Sequence, residues 1–194
     1  MSRHDQLTLY VPPCSVRFFP EGEHCNDAVD GDLLIVKHST IWADAISAGQ
    51  HALALTHPEF AGYTWGDHSA IVRGHDADLR TMLSEMGPRG YERRALFDYQ
   101  AHLYAVIHFE CSAVQRVAAM RNDLACADVD YGWLEFAADI LDGLIDAEFV
   151  GSWGDSIICS VHCTLVLMAM GLFPDVNPAK AIPANLALWT GAKH

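Results

Sequence analysis

The chain has 194 residues, of which 51% are hydrophobic and 19% charged. That length and balance suit one globular domain and exclude a disordered chain. Its 25 acidic residues against 12 Lys and Arg argue against a general nucleic-acid binder, which needs a basic stripe to displace counterions from phosphate. The same acidity disfavours docking on an anionic membrane surface.

Residues 1–28 read as an irregular N-terminal extension, punctuated by Pro12, Pro13, Pro20 and Gly22, ahead of a domain over 29–194. Met1 to Phe19 carries no basic region followed by an apolar run, so no signal peptide is expected there. Asp30-Gly31-Asp32 forms a turn, and Leu33 to Val36 a short buried strand. Ser39 or Thr40 caps a helix bearing Ile41, Trp42, Ala45 and Ile46, which Gly49 is expected to end. A loop over 50–66 leads to a strand from His68 to Val72. Leu103 to Phe109 is the clearest strand, rich in aromatic and β-branched residues.

Beyond Phe109 the pattern turns helical: Ser112 to Leu124, Tyr131 to Leu144, Ser160 to Met170, and a short helix opened by Pro183. Strands early and helices late indicate an α+β fold. The longest apolar stretch, Leu165 to Phe173, is too short to span a bilayer. The six cysteines read as reduced thiols in a cytoplasmic protein.

Cys159 stands out. The helix begins at about Ser160, so Cys159 falls at its N-terminus, with Asp155 and Ser156 as candidate caps upstream. Unpaired backbone N–H groups and the positive end of the dipole favour an anion there, and the thiolate is the nucleophilic form of cysteine. Cys163, one turn inside the helix, has neither advantage. Cys14, Cys25, Cys111 and Cys126 read as small buried hydrophobes. A nucleophilic Cys needs a base, and 11 histidines offer themselves. His68 has the best setting, opening an apolar strand after the loop Gly62-Tyr63-Thr64-Trp65-Gly66-Asp67. Spacing alone leaves a solvated surface His as the simpler alternative.

Four pieces of the sequence resemble the circularly permuted, NlpC-type branch of the papain-like cysteine peptidases and amidases. Gly31-Asp32-Leu33-Leu34 with Trp42 and Ile46 is similar to that family's opening strand and helix. Asp67-His68-Ser69-Ala70-Ile71-Val72 is similar to its His-bearing strand. Cys159-Ser160, with Gly171 twelve residues after the Cys, resembles its Cys helix. Pro174-Asp175 with Ile182-Pro183-Ala184-Asn185-Leu186 resembles its closing segment. The resemblance spans roughly residues 30–189. It implies a permuted papain-like fold, an antiparallel sheet carrying the His packed on a helix carrying the Cys.

It further implies that Leu79 to Met86 is a strand, and that its Glu85 orients His68. Tyr131, Trp65 and Ser160 are implied to contact the substrate. The reaction implied is thiol hydrolysis of a peptide or isopeptide amide, such as a peptidoglycan stem peptide, without metal or cofactor. The sequence departs from the family where Cys-Ser-Glu-Leu becomes Cys159-Ser160-Val161-His162. His162 is a rival base, although position i+3 on a helix points away from a substrate at the helix start.

Three other readings compete. Cys14, His24-Cys25, Cys159 and His162-Cys163 supply zinc-type ligands, but at spacings unlike zinc motifs. A catalytically inactive binding or assembly protein of the same fold is the second. An esterase or acyltransferase acting on lipid is the third.

Overall fold

A computed structural model describes residues 13–38, 40–87, 89–131 and 156–194. Among them the chain is α+β, with a six-stranded antiparallel sheet and four α-helices. In chain order the elements are β1 (Cys14–Phe19), β2 (Leu33–Lys37), α1 (Ile41–Thr56), β3 (His68–His75), β4 (Thr81–Gly87), β5 (Gly90–Ala95) and β6 (Leu103–Phe109). There follow α2 (Ala113–Ala125), β7 (Asp130–Tyr131), β8 (Ser156–Ile157), α3 (Cys159–Ala169) and α4 (Pro183–Thr190). The sheet order is β1-β6-β2-β3-β4-β5, while β7 and β8 form a separate parallel pair.

Both faces of the sheet are covered, which is why its central strands read as unbroken apolar runs rather than alternating ones. Leu33, Leu34, Ile35 and Val36 are all fully buried. On one face Leu33, Ile35, Ile71 and Ile107 pack on Cys163, Val166, Leu167 and Met170 of α3. On the other, Leu34, Val36, Ala70, Val72 and Leu83 meet Leu96 and Tyr99, which follow β5.

Several expectations need correction. Residues 14–19 are not part of an irregular extension. They pair with β6 from Cys14↔Phe109 to Phe19↔Tyr104, because Val16 and Phe18 gain cover from the core. Gly49 does not end α1, which runs on to Thr56 because Gln50 and Leu53 are buried on it. β5 was not foreseen: Gly90-Tyr91-Glu92-Arg93-Arg94-Ala95 carries its charges outward on an edge strand, where they protect against edge pairing. The helix foreseen from Tyr131 to Leu144 lies almost wholly outside the described residues. The strands at 68 and 81, the Ser112-capped helix and the Pro183 helix form as expected.

Candidate active site

The loop ahead of β3 sets the approach of His68. Gly66 leaves no room for a side chain, since a Cβ there would meet Ile35 Cγ2 at 2.3 Å. Its carbonyl accepts from the buried Gln50 side chain at 2.8 Å, and the next amide, Asp67 N–H, donates to Val36 at 2.9 Å. β3 then starts at His68, opposite Val36. Ile71 pairs with Ser84 on β4, so Ala70 falls opposite Glu85 and His68 is its diagonal neighbour on the same face.

His68 Nε2 and Glu85 Oε2 are 3.1 Å apart. Glu85 is buried, and a buried carboxylate is costly unless its oxygens are occupied. Here Tyr99 Oη donates to the same oxygen, and Arg94 Nε lies 3.3 Å from the other. Burial alone would raise the Glu85 carboxyl. The His68 hydrogen bond and charge, helped by Tyr99 and Arg94, outweigh it and hold Glu85 down at about 2.

Cys159 comes to His68 from α3, the first residue of that helix. Of the expected caps, Asp155 lies outside the described residues and Ser156 stands in β8. Ile158 takes the N-cap position, with no side-chain hydrogen bond to the first turn. A missing cap costs about 1 kcal/mol. Each large apolar side chain buried by α3 contributes about 1.5–3 kcal/mol, so packing fixes the helix and leaves its N-terminal field available to an anion. The side packed on the sheet is Cys163, Val166 and Leu167, continued by Met170 just past the helix. Gly171, in the left-handed region at φ 80°, turns the chain out of α3.

Cys159, the first residue of α3, and His68, the first residue of β3, come close enough to shift each other's ionisation. Burial pushes the Cys159 thiol up, but the His68 imidazolium outweighs it, with further help from the neighbouring Ser69, and the thiol ends below its ordinary value. Burial likewise opposes charging of His68, and the Cys159 thiolate and Glu85 together raise it instead. Both shifts run towards a thiolate–imidazolium pair, with Glu85 on Nε2 of the ring. Cys159 keeps only 3% of its surface, so the contrast between thiols rests on ionisation rather than exposure. Cys163, one turn on, is fully buried, and burial drives its thiol well above the ordinary range.

The other foreseen contacts divide. Ser160 is not turned to a substrate: it is fully buried and its hydroxyl donates to the Ala181 carbonyl, tying α3 to the loop before α4. Trp65 is a core residue whose Nε1 donates to the Ala192 carbonyl at 2.7 Å. Tyr131 has its backbone in β7, paired with Ile157, and its side chain lies outside the described residues. His162 points away from the thiol, with Nε2 2.9 Å from Asp123 Oδ1 in the interior. Among the described residues no group of three or more His, Cys, Asp or Glu side chains is arranged to hold a metal ion. All six cysteines are free thiols. No described helix is long and apolar enough to cross a membrane.

No protein-family model and no curated protein matches this chain. The site therefore stands on its own geometry. That geometry includes groups the sequence reading missed. Tyr99 and Arg94 hold Glu85, and no local pattern marks either. His38, at the end of β2, is paired with Asp67, and Asp67 was in view as the residue before His68.

Proposed function

We propose that this protein is a thiol hydrolase of the permuted papain-like type, with Cys159 as nucleophile, His68 as its acid–base partner and Glu85 as the orienting carboxylate. One observation carries the reading. A carboxylate-held imidazole and a helix-terminal thiol lie close enough to shift each other's ionisation, although 90 residues of chain separate His68 from Cys159. The order of His strand before Cys helix, the antiparallel sheet and the free thiols support the same reading.

In the reaction, the thiolate attacks an amide carbonyl, of a peptide or isopeptide such as a peptidoglycan stem. The developing oxyanion faces the uncapped start of α3, where the Cys159 N–H is the first donor. His68 passes its proton to the leaving amine, and Glu85 keeps the ring in place throughout. Water then releases the acyl group from Cys159.

Limiting iodoacetamide at neutral pH, followed by peptide mapping, tests the thiolate. Cys159 should be alkylated well ahead of Cys163 and the other four cysteines. Slow, equal labelling of all six would favour a non-catalytic protein of the same fold.

A further inference from the structure

β3 carries a second polar side chain next to His68. Ser69 pairs with Ile35 and precedes Ile71 by two residues, so strand alternation turns it to the face on which α3 packs. There it is fully buried, and among the described residues its hydroxyl has no hydrogen-bond partner. An unpartnered buried hydroxyl is costly, and an alanine would carry no such cost. The strand itself does not call for a serine, since Ala70, Ile71 and Val72 continue it with apolar side chains.

The polar neighbours that α3 offers Ser69 are thiols. Cys159 and Cys163 stand four residues apart, so their side chains share one side of the helix. Ser69 is close enough to favour the ionised form of each. The titratable groups that bear on the Cys159 sulfur are His68 from β3, with Glu85 on its Nε2, Tyr99 after β5 and Cys163 on α3 itself. Of these only His68 brings a positive charge. Ser69 brings a donor that does not titrate.

We propose that the Ser69 hydroxyl is a built-in hydrogen-bond donor to the Cys159 thiolate, engaged when the sulfur is ionised and without a partner when it is not. This rests on Cys159 being the nucleophile of the hydrolase reading above. A hydroxyl has one proton to donate, and two sulfurs compete for it. Charge decides between them. Burial keeps Cys163 a neutral thiol, and neutral sulfur is a weak acceptor. A thiolate is an ionised acceptor, and hydrogen bonds to ionised groups are roughly twice as strong as neutral ones. The Ser69 proton stays on its oxygen throughout, so no bond is made or broken there. The hydroxyl stabilises the sulfur when it is charged: in the free enzyme, and again as the C–S bond of the acyl-enzyme breaks and Cys159 departs.

The test is the pH profile of iodoacetamide alkylation at Cys159, read by peptide mapping. Ser69→Ala should raise its midpoint by about one pH unit. The same rise should appear in a His68→Ala background, because the hydroxyl acts on the sulfur and not through the imidazole. In a Cys159→Ala background, where no thiolate can form, Ser69→Ala should leave stability in chemical denaturation unaltered or raise it, since it removes an unpartnered hydroxyl. A low wild-type midpoint that Ser69→Ala leaves in place would overturn this inference and leave the hydrolase reading standing. So would a rise that vanishes without His68, or a clear loss of stability in the Cys159→Ala background, which would make Ser69 a structural residue. A wild-type midpoint at or above about 8.5 would overturn the hydrolase reading, and this inference with it.

Discussion

Two of the molecule's His–carboxylate pairs are alike in their contacts and differ in everything that matters for chemistry. His68 and Glu85 are 3.1 Å apart, and His162 and Asp123 are 2.9 Å apart. Asp123 is crowded with partners, as Glu85 is: Tyr91 donates to it at 2.9 Å and Arg73 lies at 2.6 Å. The surroundings of each ring separate the two. Among the described residues His162 Nδ1 is buried with no hydrogen-bond partner, and the whole side chain is sealed in the interior. His68, at the start of its strand, lies instead close enough to the Cys159 thiol for each to shift the other's ionisation. The inner pair joins α2, α3 and the sheet. The outer pair has a nucleophile to work on.

Substitutions should split these roles, and the largest effect falls on the outer pair. Cys159→Ala and His68→Ala should each abolish ester or amide turnover, with the circular dichroism spectrum and melting transition retained. A mutant of either that kept wild-type turnover would remove the distinction between the pairs.

The inner pair should answer in stability. Asp123→Ala leaves Arg73 and His162 buried without their acceptor and should cost about 3–5 kcal/mol in chemical denaturation. His162→Ala leaves Asp123 its other partners and should cost less, about 1–3 kcal/mol. At temperatures where the mutant remains folded, its Cys159 alkylation should stay close to wild type. A His162→Ala protein that is fully stable yet unreactive would make His162, not His68, the base.

Glu85 gives a pH signature. Its folded carboxyl sits at about 2, below the ordinary value of 4.5. The stabilisation it contributes is therefore present above about pH 4.5 and is lost as pH falls from there towards 2. Glu85→Gln should remove this part of the acid-induced loss of stability and lower turnover without abolishing it, because Glu85 orients rather than reacts. An unchanged acid limb would mean that Glu85 is not held by His68. Smallest of all, Ser160→Ala should cost about 1 kcal/mol through its lost bond to Ala181 and leave turnover unaltered.

The sequence carried the parts of this site that have local marks. Cys159 was legible because an apolar helix starts beside it, and His68 because it opens an apolar strand after a glycine-bearing loop. Glu85 followed only from the family resemblance. What supports these three was not legible. Tyr99 and Arg94 reach Glu85 through the β4–β5 hairpin, whose second strand has too many charges to read as a strand. His38 faces the site only because β2 and β3 end side by side. Ser160 was misread because sequence adjacency to Cys159 says nothing of direction: successive residues on a helix point about 100° apart, and this one points inward. β1 was hidden by the prolines around it, since its place depends on pairing with β6, which lies some ninety residues on.

The most direct measurement is the pH dependence of iodoacetamide alkylation at Cys159, followed by peptide mapping in wild-type and His68→Ala proteins. In wild type the rate should rise with a midpoint below the value of about 8.5 for a free thiol, and loss of the imidazolium should move that midpoint up. A wild-type midpoint at or above about 8.5, or one that His68→Ala leaves in place, would contradict the thiolate–imidazolium pair on which the proposed function depends.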